Sequence, residues 1–221
     1  MVIAGLDLSI SSSGVVKFYL DDKTLQIIDV KYLGFTSVKK NESSNIIHYK
    51  TNDFKTQYDK FNFMNNKIQD FIEDCEYLAI ENYAFGATGQ IFSLAEFEGN
   101  VKINAYNNLK KLRIYDITSI KKYATGSGIS DKISMYNSFV TEQCIKPILN
   151  SFGPVNKSSG IATYSDIIDA FWIARFLQTE LMLRHGIILL KDLSKDRIEL
   201  FNRVTKSAPE NLLSTNFIQK Q

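Results

Sequence analysis

Residues 2–20 read VIAGLDLSISSSGVVKFYL. The apolar runs at 2–8 and 14–20 each predict a buried strand, and the polar SISSS between them predicts a turn that Gly14 closes. A third run of apolar and β-branched residues follows at 24–33, so the chain opens with a three-strand antiparallel meander. A doubly wound fold would alternate strand and helix from its start. The opening therefore predicts another kind of mixed sheet.

The rest of the chain alternates helices and short strands. Apolar spacing predicts five helices, at 55–74, 90–110, 118–123, 131–144 and 164–184, with Ser130 as the N-cap of the fourth. Strands are predicted at 77–82 and 112–117. The sequence therefore predicts an α/β protein with a mixed five-stranded sheet, made of the meander plus parallel strands, and with helices on both faces.

Polar composition divides the chain further. We expect one domain over residues 1–185, in which the polar segment 35–54 is an exposed loop or insertion. Residues 186–221 are predicted to be a polar C-terminal extension. The sequence contains no internal repeat.

Composition indicates a protein of the cytoplasm. Hydrophobic residues make up 44% of the 221 residues and charged residues 23%, an ordinary balance for a globular protein. The net charge of +2 argues against a strongly basic surface overall, although not against a local patch. Cys75 and Cys144 show no metal-type spacing, and the start MVIAGLDLSI lacks the features of a secretory signal. No apolar run approaches the roughly 20 residues that span a bilayer.

Four carboxylates fall at the ends of apolar elements. Asp7 sits inside the first strand, where an unpaired charge is costly to bury, and Glu81 ends the apolar run YLAI. Asp166 and Asp169 are three residues apart, so they share one face of the last long helix and repel each other. Each has an ordinary explanation when taken singly, either a solvated strand end or an acidic first helical turn.

Taken together, the four carboxylates predict a site for a hard divalent cation, which would neutralise their repulsion. His48 and His185 are not spaced as zinc ligands. Oxygen-only ligation favours Mg²⁺ or Mn²⁺.

A basic segment runs from Lys102 to Lys132, with seven basic residues against two acidic ones and hence a local net charge of +5. Most such runs are solvated helix faces. The alternative is a surface that contacts phosphates. The loop ATGSGIS favours this alternative, because glycines let backbone N–H groups approach phosphates. The candidate phosphate-contacting residues are Lys121, Lys122, Ser127 and Lys132.

Two aromatic residues follow Glu81 in the loop YAFGATG. Tyr83 and Phe85 could be ordinary core aromatics. Alternatively, one of the rings stacks on an unpaired base. Phe85 suits stacking better, because small residues and glycine flank it.

Four stretches occur in a telling order: GLDLSISSSGVV, LAIENYAFG, TGSGISDK and SDIIDAFWIARF. Over roughly residues 1–180 they resemble the RuvC-type Holliday junction resolvases, including their bacteriophage relatives. The resemblance implies an RNase H-like fold. It differs in two places, since SISSS replaces a proline-glycine type of turn and 35–54 looks like an insertion.

The resemblance implies roles for the residues singled out above. It makes Asp7, Glu81, Asp166 and Asp169 ligands of two Mg²⁺ or Mn²⁺ ions, with Asp7 bridging both and Glu81 also orienting the attacking water. It makes lysines such as Lys132 contact DNA and the reacting phosphate, and it gives an aromatic just after the Glu the role of stacking at the junction centre.

The predicted activity is therefore endonucleolytic hydrolysis of branched DNA, namely four-way junctions and possibly forks or flaps. The expected products carry 5′-phosphate and 3′-hydroxyl ends. Symmetric cutting needs two active sites, so a C2 homodimer is expected.

Two other functions suit parts of the sequence. The order Gly5, Asp7, Ser9 followed by small polar residues also resembles the phosphate loop of the actin and sugar-kinase ATPases, although 221 residues are few for their two related domains. A DNA-binding module without catalysis is the other alternative. The four carboxylates count against this alternative, because a protein that only binds DNA has no need to keep a set of side chains that repel one another.

Overall fold

A computed structural model describes residues 1–37, 45–82, 91–142, 160–204 and 217–220. Within these residues, six strands form one mixed sheet in the order β4-β3-β2-β1-β5-β6. The strands are β1 Val2–Asp7, β2 Ser12–Leu20, β3 Ile27–Thr36, β4 Ile46–His48, β5 Tyr77–Glu81 and β6 Lys111–Tyr115. The first three pair antiparallel, whereas β4, β5 and β6 run parallel to β3, β1 and β5. This arrangement confirms the predicted meander with added parallel strands.

The sheet has one strand more than predicted, because β4 lies in the segment 35–54. Ile46 pairs with Gly34, and the side chains of Ile46 and Tyr49 are buried. The prediction of an exposed loop is therefore wrong for this part of the segment. A three-residue strand is too short to produce a period in the sequence, and only pairing with β3 defines it.

Six α-helices are present among the described residues: α1 Gln57–Phe71, α2 Ile91–Asn107, α3 Ile117–Thr125, α4 Lys132–Val140, α5 Gly160–Arg184 and α6 Lys195–Val204. The first five confirm the predicted helices. The cap of α4 differs from the prediction, because the Asp131 carboxylate, rather than Ser130, accepts a hydrogen bond from the Ser134 N–H at 2.8 Å. An acidic side chain suits this position, since it also complements the helix dipole.

Helices cover both faces of the sheet, as predicted. One core joins the sheet to α1 and α2, and the other joins it to α3, α4, α5 and α6. Leu200 and Phe201 of α6 and Phe217 are buried in the second core, so the C-terminal extension is partly built into the domain. Ile218 also forms a backbone bridge to Leu112 on β6. No helix in the described part of the chain is both long and apolar enough to cross a bilayer.

The long helix α5 touches the sheet backbone at two glycines. A Cβ atom at Gly5 would lie 2.3 Å from the Ala170 carbonyl oxygen, and one at Gly14 would lie 2.2 Å from the Asp166 carbonyl oxygen. Real Cβ atoms do not approach so closely, so both positions require glycine. Gly14 is the pairing partner of Asp7. The contact therefore fixes the first described turns of α5 directly above the end of β1.

Candidate active site

Strand alternation places Asp7 and Glu81 side by side on one face of the sheet. Ile3 and Ala79 belong to the core beneath α5, and side chains two or four residues further along a strand share that face. Leu6 pairs with Ile80 across the parallel strands β1 and β5, so the next residue of each strand is a carboxylate. Both carboxylates thus stand at the C-terminal strand ends, under α5.

Helix α5 brings Asp166 and Asp169 to the same place, and the carboxylates interact. Burial raises the pKa of Asp7 well above its ordinary value, and the charges of Asp166, Glu81 and Asp169 raise it further. The same two effects raise the pKa of Glu81 to about 7 and that of Asp169 to about 6. We call these four residues the carboxylate cluster.

The chemistry of the carboxylate cluster suits a hard divalent cation. Partly buried carboxylates that stand close together are a donor set of oxygens under mutual repulsion, which a cation relieves. Within the described ranges, no three Asp, Glu, His or Cys side chains form a ready-made metal site. The carboxylate cluster is the candidate site by its oxygen donors and its negative charge.

Two of the predicted lysines face the cluster. The positive charge of Lys121 partly offsets the rise in the pKa of both Glu81 and Asp169, and that of Lys132 partly offsets the rise for Asp169. The Lys132 ammonium also donates a hydrogen bond of 3.2 Å to the Ser165 hydroxyl, which donates one of 3.2 Å to the Asp166 carboxylate. The α3 and α4 helices therefore contribute positive charge beside the carboxylates.

Most of the basic segment is engaged elsewhere. Five of its seven basic residues contact groups of the fold: Lys102 with Glu98, Lys110 with the Glu73 carbonyl, Lys111 with Glu76, Arg113 with Glu180, and Lys122 with Glu199. The predicted role for Lys122 thus has less support than those for Lys121 and Lys132. For these five residues the arrangement favours structural roles, and Arg113 with Glu180 is a buried pair.

Two residues near the cluster were not predicted. Glu98 of α2 is 4% exposed, and its charge raises the pKa of Asp7 and Glu81. It pairs with Lys102 at 2.8 Å. The i,i+4 spacing of Glu and Lys signals an ion pair within the helix, and nothing in the sequence signals that Glu98 lies near the cluster. Ser165, which links Lys132 to Asp166, gives no signal in the sequence beyond its position next to Asp166.

The other predicted DNA-contacting residues divide into two groups. Ser127 is exposed in the loop between α3 and α4, where its carbonyl oxygen accepts hydrogen bonds from Thr125 and Ser130. The loop is thus held in shape by its own hydroxyls. Tyr83 and Phe85 lie outside the described residues, so their stacking role stays a prediction.

We expect Mg²⁺ to stabilise the protein more at high pH than at low pH. Folding raises the pKa of Glu81 to about 7 and of Asp169 to about 6, so the folded state binds more protons than the unfolded one. Metal-free stability should therefore fall as pH rises from about 4 to 7. Above that range the ionised cluster binds Mg²⁺ best. Melting temperatures at pH 5 and 8, each with EDTA or Mg²⁺, test this. An equal Mg²⁺ shift at both pH values would contradict it.

Comparison with solved structures identifies the fold. The Thermus thermophilus RuvC structure matches with a TM-score of 0.54 at 16% identity, covering 85% of this chain and 98% of that one. The same protein in complex with a Holliday junction substrate gives 0.52 at 16% identity, covering 85% and 97%. The fowlpox virus Holliday junction resolvase gives 0.46 at 15% identity, covering 81% and 99%.

Neither a protein-family model nor a curated protein sequence matches the chain. The chain nevertheless matches nearly the whole length of the two Thermus structures, at a TM-score above one half. The chain therefore has the RNase H-like fold of the RuvC-type resolvases, as the four sequence stretches predict.

Proposed function

We propose that the protein is a metal-dependent endonuclease that resolves Holliday junctions and related branched DNA. One observation carries the proposal: Asp7 and Glu81 end adjacent parallel strands beneath Asp166 and Asp169, with Lys121 and Lys132 facing them. The cationic groups can attract a DNA phosphate, and the carboxylates can hold the cations that hydrolysis needs. The similar T. thermophilus protein, which was solved with a Holliday junction substrate, supports this choice of DNA.

The proposed roles follow from where each residue stands. Two Mg²⁺ or Mn²⁺ ions held by the carboxylate cluster would supply an activated water and neutralise the phosphate. Asp7, whose pKa the other three carboxylates all raise, would contribute to holding both ions. Glu81 orients the attacking water. Lys132 offsets the charge that develops on the phosphate oxygens in the transition state.

The test compares labelled four-way, Y-shaped and linear duplex DNA, each with Mg²⁺, Ca²⁺ or EDTA. We expect paired cuts near the branch point in Mg²⁺, with 5′-phosphate ends, and binding without cutting in Ca²⁺, which accepts looser coordination. Junction binding without cleavage in any divalent cation would favour the non-catalytic DNA-binding module instead. Cleavage in excess EDTA would contradict the metal mechanism.

Lys121→Ala and Lys132→Ala should each weaken DNA binding and reduce the slope of log affinity against log salt by about 0.9, because each removes one phosphate contact. Lys132→Ala should also lower turnover at saturating DNA by about 100-fold, since it stabilises the transition state. Binding titrations from 50 to 200 mM salt and single-turnover cleavage measure these effects.

Lys122→Ala is the matched control for both lysines, because it removes the same charge from α3 but faces Glu199. It should leave turnover and salt dependence near the wild-type values. If all three variants behaved alike, Lys121 and Lys132 would be solvated surface residues without a specific role in DNA binding or cleavage.

We further propose that the nuclease acts as a C2 homodimer through α2, because paired cuts need two active sites. Phe92 and Ile103 of α2 are exposed, and a Cβ at Gly99 would meet no described atom within 4 Å. These residues are seven and four positions apart and so share one helix face. Sedimentation of wild type and Ile103→Asp tests the proposal, with a shift to monomer expected. An unchanged sedimentation coefficient would remove this face from consideration.

A further inference from the structure

A cleft lies beside the β1–β2 turn, away from the carboxylate cluster. It has a volume of about 520 Å³ and is formed by that turn, the segment after β4 and the start of α1. The cleft thus has room for a phosphate group and several waters, since each water occupies about 30 Å³. The lining residues used below are Ile10, Ser11, Tyr49, Lys55 and Lys60.

The lining of the cleft is cationic. It contains two lysines together with hydroxyl and amide groups, but no Asp or Glu among the described residues. Lys60 is half-buried, and its ammonium donates a hydrogen bond of 2.8 Å to the Ile10 carbonyl oxygen. Burial lowers the pKa of Lys60. No acidic residue in the described part of the chain pairs with the Lys60 ammonium. An anion in the cleft would supply such a partner.

The nearest carboxylates are used in caps instead of in the cleft. Asp53 accepts a hydrogen bond from the Lys50 N–H at 2.7 Å, and Asp59 accepts one from the Thr56 N–H at 2.9 Å. Neither side chain lines the cleft.

The cleft is tied to the strand that carries Asp7. The Tyr49 hydroxyl donates to the carbonyl oxygens of Ile10 and Ser11, at 3.1 and 2.9 Å. Ile10 is three residues beyond Asp7, so their Cα atoms lie within roughly 11 Å of each other at the maximum reach of the chain. One nucleotide of duplex advances about 3.4 Å along the helix axis. The maximum distance between Asp7 and Ile10 thus corresponds to about three nucleotides.

We propose that this cleft binds a backbone phosphate of the DNA, a few nucleotides from the cleaved bond, through Lys60 and Lys55. The inference rests on the proposed nuclease function and adds a contact made by the segment after β4. The chemistry that recognises the ligand is that of a single phosphodiester anion, which accepts from ammonium and hydroxyl donors. The contact fixes the register of the strand and carries no base specificity.

The first test uses the double variant Lys55→Gln/Lys60→Gln. Glutamine removes both charges, yet at position 60 it can still donate to the Ile10 carbonyl. We expect weaker junction binding and a salt slope reduced by about 0.9 for each lysine. Lys67→Gln is the matched control, because Lys67 lies on the same helix α1 but is exposed and outside the cleft. Lys55→Gln alone repeats the test if the double variant melts early.

The second test replaces single phosphates of the junction with neutral methylphosphonates, moving along the cut strand. We expect one position near the cut to weaken binding by wild type but not by the double variant. Equal sensitivity of the two proteins at every position would overturn the proposal. The two proposals fail separately. If the wild type binds DNA and never cuts it, the nuclease proposal is refuted. If the wild type cuts DNA and the double substitution leaves DNA binding unchanged, only the cleft proposal is refuted.

Discussion

Replacing Asp7 with asparagine is expected to abolish DNA cleavage without unfolding the protein. Asp7 interacts with each of the other three carboxylates of the cluster and stands at the end of β1. Loss of a group that merely orients a metal ligand costs about 10- to 100-fold in metal affinity or activity, so loss of this carboxylate should exceed 100-fold. Single-turnover cleavage of a labelled junction in Mg²⁺ measures the effect.

The same variant should melt at a higher temperature than wild type in EDTA. Burial and like charges raise the pKa of Asp7, so its ionised form costs stability in the metal-free protein, and asparagine removes that charge. Asp29→Asn is the matched control, since Asp29 is an exposed aspartate on β3 of the same sheet. It should change neither property. Cleavage by Asp7→Asn at a rate near that of wild type would refute the assignment of the site.

Gly14→Ala should damage both stability and cleavage. The new Cβ would lie 2.2 Å from the Asp166 carbonyl oxygen and 2.6 Å from the Ile167 nitrogen, and backbone atoms of a packed helix cannot give way cheaply. Overpacking of this kind costs roughly 1–3 kcal/mol, occasionally more. Because Asp166 rides on the displaced turn, a shift of about 1 Å should lower cleavage by roughly 100-fold. Urea unfolding and single-turnover kinetics give the two numbers.

Gly34→Ala provides an unusually close control. Gly34 pairs with Gly14 across β2 and β3, and both face α5. The atoms nearest to a Cβ at Gly34 would be side-chain carbons, Cδ1 of Ile167 at 3.0 Å and Cγ1 of Ile46 at 3.3 Å, and not helix backbone. We expect a small change in stability and nearly normal cleavage. If both variants lost activity equally, the loss would come from sheet packing in general and not from the position of Asp166.

The sequence predicted those features that local patterns encode. Alternation along VIAGLD and YLAIE predicted two strands that each end in a carboxylate, and the D-x-x-D spacing predicted that Asp166 and Asp169 share a helix face. The C-terminal ends of neighbouring parallel strands lie at one edge of a sheet. The predicted mixed sheet therefore also predicted that the two strand-end carboxylates lie close together. The structure brings Asp7 within range of the charges of the other three, and Asp169 within range of Asp166.

Features that depend on distant parts of the chain were not predictable. Glu98 reaches the cluster only because α2 packs on the far face of the sheet, and no pattern around residue 98 encodes that placement. The basic segment looked uniform as a string, but the ion pairs of Lys111 and Lys122 come from residues 35 and 77 positions away. The glycine at position 14 was predicted to close a turn, whereas its main constraint is the backbone of α5.

The bridge between Ile218 and β6 has a consequence for how copies of the chain meet one another. β6 is the last strand on its side of the sheet, and a bare strand edge offers unpaired backbone groups to any other extended chain. Two backbone hydrogen bonds between Leu112 and Ile218, of 2.9 and 2.8 Å, occupy part of that edge. The C-terminal residues thereby reduce the number of backbone groups that could pair with another chain and cause aggregation. A chain trimmed before Phe217 would lose these two hydrogen bonds.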